Sequence, residues 1–168
     1  MNTVTNGFVE SFSFLPRIFL RFVVMVPDFY LSTKSARQVL PAQVPMKDAV
    51  FNISHAAMMV AALAHGSEKH LENVFEDALH QNYRAPLIPG MFDVFAAAKK
   101  AGAYGAALSG AGPCLIAFVP EHRNCTEDVA AAMQEAFCTH DIEAHPLHLR
   151  LDTKGARVLH RKDSRPKS

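Results

Sequence analysis

The sequence predicts an α+β domain in which helices pack on one face of a mainly antiparallel, ferredoxin-like sheet. Three observations lead to this class. A β-branched and aromatic run lies at 21–26, apolar helical patterns follow over 48–64 and 90–101, and two short apolar runs flank a glycine-rich turn within 104–119. Strands and helices are therefore mixed along the chain, with a hairpin in the middle.

The composition is that of an ordinary globular domain. Of the 168 residues, 49% are hydrophobic and 20% are charged, which argues for one folded domain and against disorder. The net charge of +1 offers no electrostatic attraction to nucleic acid or to an anionic membrane. We predict no secretory signal and no membrane span. Three cysteines without a CxxC pair fit a reducing compartment, so we expect a cytoplasmic protein.

The first elements follow from local patterns. Residues 21–26 predict a buried strand that Pro27 closes. A short helix is expected over 31–41, with Ser32 as its N-cap and Pro41 at its end. For residues 1–20 the sequence predicts no element and the segment is left unassigned.

Three longer helices are expected in the middle of the chain. Residues 48–64 are apolar nearly all round, which predicts a helix buried on most sides. After a break at Gly66, the three-to-four spacing of apolar residues predicts an amphipathic helix over 68–79. A rigid loop over 83–90 then leads to a helix over 90–101.

The last elements complete the sheet. Residues 104–108 and 114–119 predict two strands joined by a glycine-rich turn, and Thr126 is expected to cap a helix that runs to about residue 138. Alternating leucines predict a strand over 143–151, and 156–159 suggests another. We therefore place the domain at 21–160 and expect 161–168 to form a basic, solvated tail.

The glycine-rich turn and two arginines are the candidate binding residues. Gly110 and Gly112 allow close approach of a ligand, and the amides of such a turn can hold an anion, although a hairpin turn that serves only geometry explains them equally well. Arg37 shares a helix face with Thr33, and Arg84 lies in a proline-stiffened loop. A fixed guanidinium suits carboxylate recognition, but most arginines are simply solvated. The nine histidines lack metal-ligand spacing, so we predict no metal site and no catalytic residue.

Three stretches together carry a family resemblance. VPDFYLSTKSAR, QNYRAPLIPG and GAALSGAGPCLIAF occur in this order and resemble the C-terminal half of the homoserine kinases, within the GHMP superfamily of small-metabolite kinases. The ending GARVL resembles the last strand of that family. The resemblance implies the C-terminal domain of a GHMP kinase, and homoserine kinases phosphorylate the hydroxyl of L-homoserine with ATP and Mg²⁺ on the way to threonine.

The resemblance also implies roles for individual residues. Thr33 and Arg37 match substrate-side positions, and Arg84 matches the arginine that holds the amino-acid carboxylate. Four consecutive residues match the third signature motif, which lies near the triphosphate in the family: Ser109, Gly110, Ala111 and Gly112.

The main phosphate loop of the family, P-x-x-x-G-L-G-S-S, and its metal-binding carboxylate are not found in this sequence. We therefore expect the 168 residues to have little or no kinase activity alone, because phosphoryl transfer depends on positioning and charge neutralisation around the phosphate. The implied partners are an N-terminal kinase domain or further copies of the chain. The alternatives are a non-catalytic ferredoxin-like module that binds an amino acid or another protein, and a non-functional remnant. An isolated half is expected to aggregate or dimerise through exposed apolar surface.

Overall fold

The computed structural model describes residues 2–5, 8–11 and 15–153. Two short strands, β1 (Asn2–Thr5) and β2 (Phe8–Ser11), pair antiparallel near the beginning of the chain, in the segment left unassigned from sequence. The strand predicted over 156–159, the GARVL ending and the basic tail all lie outside the described residues.

The main sheet has four antiparallel strands, in the spatial order β4-β5-β3-β6. They are β3 (Leu20–Pro27), β4 (Gly105–Leu108), β5 (Leu115–Pro120) and β6 (Ala144–Arg150). The first and third of these strands are central, which is the order of a split β-α-β, ferredoxin-like sheet. The predicted α+β fold class is confirmed.

Within residues 15–153, six helices and two 3₁₀ turns connect the strands. The helices are α1 (Thr33–Gln38), α2 (Met46–His65), α3 (Glu68–Leu71), α4 (Gln81–Arg84), α5 (Met91–Lys100) and α6 (Thr126–Cys138). The 3₁₀ turns are Ala85–Leu87 and Glu121–Arg123. Ser32 caps α1 as predicted, because its Oγ accepts the amide of Ser35 at 3.0 Å. Thr126 is the first residue of α6 rather than its cap, which is Cys125.

The main core lies between the sheet and the helices α5 and α6. Val23 of β3 and Ala117 of β5 are register partners and both face these helices. Val94 of α5 and Met133 and Phe137 of α6 pack against them and have no exposed surface. This layer holds the largest cluster of buried apolar side chains among the described residues, and so it carries most of the hydrophobic stabilisation.

A second, smaller cluster lies at one end of the opposite face of the sheet. The rings of Phe22 and Phe118, which are also register partners, meet edge to face with centroids 5.2 Å apart, and Phe75 lies 4.9 Å from Phe118. Ala62 near the end of α2 and Leu71 of α3 complete the cluster. This end of α2 therefore anchors the helix to the domain.

The helix predicted over 68–79 is wrong beyond Leu71. The carboxylate of Asp77 accepts the amides of residues 79, 80 and 81, and the side chain of Asn52 accepts the amide of Ala78. Those amides are thus satisfied by side chains instead of by the carbonyls that a continuing helix would use. Likewise the predicted loop over 83–90 is wrong at its start, since α4 and a 3₁₀ turn occupy 81–87.

The prediction that the helix at 48–64 is buried is also wrong. In α2 the one buried residue is Ala62, while Met46, Val50 and Ile53 are 79%, 54% and 68% exposed. The physical reason is that only the end of α2 reaches the sheet, and no element in the described part of the chain covers the rest. None of the described helices is long and apolar enough to span a bilayer.

Candidate functional site around Arg84

Arg84 joins three segments that are far apart in sequence. Arg84 is buried, with only 9% of the residue exposed. Its Nε donates to the carbonyl of Ala36 in α1 at 3.0 Å, and its Nη1 donates to the carbonyl of Gly110 at 3.3 Å. The structure therefore brings α1, the end of α4 and the glycine-rich turn to one place.

Gln81 explains why α4 holds Arg84 in this position. It lies three residues before Arg84 and is 4% exposed. Its Oε1 accepts the amide of Leu108 at 2.7 Å, and its Nε2 donates to the carbonyl of Phe75 at 3.3 Å. Since Leu108 is the last residue of β4, Gln81 ties α4 to the strand immediately before the glycine-rich turn.

His80 lies next to Arg84, and Asp77 lies next to His80. The Nη1 of Arg84 is 3.3 Å from the Nδ1 of His80, and the Nε2 of His80 is 3.4 Å from the Oδ2 of Asp77. The same Oδ2 accepts the side-chain amide of Asn52 at 2.6 Å. Sequence reasoning missed both residues because it placed Asp77 inside a helix. The available signal was an aspartate shortly before a helix start, where such a side chain accepts backbone amides.

The surroundings of these two groups set their charge. Burial alone would raise the pKa of Asp77, but hydrogen bonds from the amides of Gln81 and His80 and from Asn52 hold its pKa below the ordinary value. Burial lowers the pKa of His80; the negative charge of Asp77 opposes this and the positive charge of Arg84 adds to it. At neutral pH, Asp77 is therefore ionised and His80 is neutral. A neutral ring between these partners carries its proton on Nε2, towards Asp77, and accepts from Arg84 through Nδ1.

The two glycines of the turn have different surroundings. Gly110 and Gly112 both have positive φ, 63° and 89°, which favours glycine. A Cβ on Gly112 would lie 2.8 Å from the Cδ1 of Ile88, whereas a Cβ on Gly110 would meet nothing within 4 Å. Gly112 thus packs on the core, and Gly110 faces open space beside Arg84.

The hydrogen bonds within the turn leave two amides available. The amide of Ser109 donates to the carbonyl of Cys114 at 2.9 Å, and that of Gly112 donates to the carbonyl of Ser109 at 3.2 Å. The peptide bond between Gly112 and Pro113 is cis. The amides of Gly110 and Ala111 donate to no group in the described part of the chain. Neighbouring free amides of this kind suit an anion.

Thr33 and Arg37 both lie on α1, four residues apart, and both are exposed. Within residues 15–153, neither side chain has a hydrogen bond. The structure thus brings the backbone of their helix to Arg84 through Ala36, but it shows no contact from either side chain to Arg84 or to the turn. Their roles stay predictions.

The sequence predicts no metal site, and among the described residues no group of three or more His, Cys, Asp and Glu side chains is placed to hold a metal ion. A groove of about 510 Å³ lies on the far side of Asp77, lined among others by Lys47, Phe51 and Phe92, and it includes neither Arg84 nor the glycine-rich turn. We place the candidate site at Arg84 because three segments converge there on a buried cation.

Comparison with known families identifies the class of domain. The family model GHMP kinases C terminal matches residues 58–142, which is half of the chain. The chain therefore belongs to this family. The match includes α4 with Arg84 and the whole glycine-rich turn. The resemblance found in the sequence is confirmed at this level.

The individual relatives are homoserine kinases. That of Desulfitobacterium hafniense is 44% identical over 137 residues, which cover 82% of this chain and 46% of the relative. That of Gloeobacter violaceus is 51% identical over 111 residues, or 66% of this chain and 36% of the relative. The crystal structure of homoserine kinase from Cytophaga hutchinsonii matches with a TM-score of 0.78 and 26% identity, over 83% of this chain and 44% of that one. The chain thus spans less than half the length of these relatives.

Proposed function

We propose that this domain is the substrate-side half of an ATP-dependent homoserine kinase, and that Arg84 binds the carboxylate of L-homoserine. The observation that carries the proposal is the convergence of α1, Arg84 and the glycine-rich turn through the bonds from Arg84 to Ala36 and Gly110. The homoserine kinases among the relatives support the choice of substrate. Such an enzyme would act in threonine biosynthesis, and three free cysteines fit a cytoplasmic setting.

The guanidinium of Arg84 is suited to this role. Nε and Nη1 are used by the two carbonyls and by His80, while Nη2 has no hydrogen bond to any residue of the described ranges. Nη2 is therefore the nitrogen left to donate to a carboxylate oxygen, and the fixed positive charge of the guanidinium strengthens such a hydrogen bond. In the proposal Thr33 and Arg37, on the α1 helix that Arg84 contacts, complete the substrate side.

The turn at 109–112 would form one wall of the triphosphate site. The free amides of Gly110 and Ala111 fit contacts with phosphate oxygens, and the open space at Gly110 allows close approach. The described residues offer no carboxylate cluster for Mg²⁺, so the ion would be held by residues beyond them. ATP would supply the phosphoryl group, and we assign no catalytic residue within this chain.

The first test is direct binding of L-homoserine to the 168-residue protein, measured by isothermal titration calorimetry. Arg84→Ala removes a charge-assisted contact of roughly 1.5–3 kcal/mol, so the affinity should fall by at least about tenfold. Arg123→Ala is the matched control, because Arg123 also donates to a backbone carbonyl and pairs with a carboxylate, Glu72, away from this site. Equal affinities of the Arg84 variant and the wild type would remove Arg84 from the substrate site.

A second arm tests catalysis. The chain alone should not turn over homoserine, whereas mixing it with the N-terminal half of the Desulfitobacterium hafniense enzyme should produce phosphohomoserine. In that mixture Arg84→Ala should raise KM for homoserine more than KM for ATP. Turnover by the chain alone would contradict the need for a second half. Homoserine binding without turnover in any mixture would favour the non-catalytic binding module.

A further inference from the structure

The polar side chains behind Arg84 have no part in the proposed reaction. We propose that His80, itself held by Asp77, is a positioning residue that fixes the guanidinium of Arg84 by accepting a hydrogen bond from Nη1. What Arg84 binds rests on the proposed function. How Arg84 is held rests on the contacts alone.

Each link of this arrangement is fixed by the one before it. Asp77 accepts three backbone amides on Oδ1, at 3.1, 2.6 and 2.7 Å, so its carboxylate cannot rotate freely. One of these amides belongs to His80, and the Nε2 of the His80 ring lies 3.4 Å from Oδ2. The free ring nitrogen, Nδ1, then faces the Nη1 of Arg84.

The contact with His80 completes the restraint on a long side chain. Ala36 and Gly110 hold Arg84 through carbonyls on two segments that meet only here, the α1 helix and the glycine-rich turn. His80 lies one helical turn before Arg84, so its acceptor moves with α4 itself. The orientation of Nη2, the free donor, is thereby tied to α4 and to Asp77.

Protonation of His80 would abolish the hydrogen bond between its Nδ1 and the Nη1 of Arg84. An imidazolium carries N–H groups on both nitrogens, so Nδ1 can no longer accept from Nη1. The charged groups in contact with His80 are Asp77 and Arg84. Farther away, Lys47 and Asp48 of α2 line the groove on the far side of Asp77, and Arg37 lies on α1. If His80 acted only through its charge, acidification would strengthen the binding of an anion. The positioning role predicts instead that acidification weakens the binding of an anion.

Two variants separate the two ring nitrogens. His80→Asn keeps an amide oxygen near the place of Nδ1 and cannot titrate. His80→Gln puts its amide near the place of Nε2, which retains a donor to Asp77 but removes the acceptor for Arg84. His70→Gln is the control, because it deletes a comparable Nδ1 contact, 2.6 Å from the Oγ of Ser67, on the exposed α3 helix.

The first measurement needs no substrate. In ¹⁵N NMR spectra at neutral pH, the Nε–H of Arg84 should exchange slowly with solvent in the wild type, in His80→Asn and in His70→Gln, and at least tenfold faster in His80→Gln. The His80 ring should show the Nε2–H tautomer. Unchanged exchange in His80→Gln, or equal loss of protection in His80→Asn, would overturn the proposal.

Should His80→Gln fail to fold, the wild type still gives an answer. As the pH falls and His80 takes up its proton, exchange of the Arg84 Nε–H should quicken relative to that of Arg123 in the same sample; a constant ratio would contradict the positioning role. Homoserine affinity forms the separate arm, and it should weaken on acidification in the wild type but not in His80→Asn. Absence of homoserine binding at any pH would refute the proposed function and leave the NMR result standing.

Discussion

The helices α6 and α2 are both rich in apolar residues, yet they differ in how many of those residues are buried. α6 has 13 residues and buries Val129, Ala130, Met133 and Phe137. α2 has 20 residues and buries Ala62 alone. The longer and more uniformly apolar helix is thus the more exposed of the two.

The difference lies in what each helix packs against. α6 lies on the sheet beside α5, so its apolar side meets two elements. α2 reaches the second cluster only near its end, and along the rest of the helix Met46, Val50, Ile53 and Val60 recur at spacings of four, three and seven on one exposed side. We call these four residues the α2 seam. Apolar side chains in such a row are typical of helices that pack against another helix.

The largest expected effect compares two methionines. Met133 of α6 has no exposed surface and Met58 of α2 is 44% exposed. Met133→Ala leaves a cavity in the core and should lower the free energy of unfolding by about 2–5 kcal/mol. Met58→Ala should change it by less than about 0.5 kcal/mol. Urea denaturation followed by circular dichroism measures both, and similar losses in the two variants would show that α2 is covered in solution.

A smaller effect is expected at the polar contact that attaches the middle of α2. Asn52 donates to Asp77 at 2.6 Å and accepts the amide of Ala78 at 2.8 Å. Asn52→Ala leaves that half-buried amide without its partner and should cost about 1–2 kcal/mol of unfolding free energy. Ser54→Ala, which deletes only an exposed bond to the carbonyl of Val50, is the control. If both variants unfold at the same urea concentration, the contact does not stabilise the domain.

The smallest change in stability is expected at the α2 seam, where the readout is association. Ile53 is 68% exposed, so Ile53→Lys should leave the unfolding free energy within about 0.5 kcal/mol of the wild type. It should nevertheless reduce self-association, because a charge interrupts the apolar surface. Sedimentation velocity over a range of concentrations measures this, with Ser54→Lys as the control that adds the same charge beside the seam. A wild-type chain that stays monomeric throughout would contradict the expected association.

The sequence predicts the four strands of the main sheet and the helix α5 well. The strands at 21–26, 104–108, 114–119 and 143–151 and the helix α5 were each expected within one or two residues of their observed ends, since period and capping are local signals. The prediction of a helix over 68–79 failed because Val74 and Phe75 have helical spacing, yet Val74 is buried and Phe75 is partly buried in an irregular segment. A long-range hydrogen bond from Asn52 to Asp77 joins that segment to α2.

The candidate site likewise contains residues that could be predicted from the sequence and residues that could not. Arg84 and the turn at 109–112 could be named from motifs, because charge, glycine and proline are visible in sequence. The carbonyl of Ala36 could not, since any residue offers one and only the fold selects it. His80 and Gln81 were equally hidden, as their roles depend on partners 4 and 27 residues away.

The amino-acid sequence was sufficient to predict the fold class, most element positions, the family resemblance and the two motifs that meet at the site. Local periodicity and turn chemistry suffice for these, because they act over a few neighbouring residues. The tertiary structure was needed to show which apolar helix is covered, that Asp77 binds the backbone amides just before α4, and how His80 faces Arg84. Burial and hydrogen bonding between distant segments depend on how the elements pack together, and hydrophobicity records only a preference for burial.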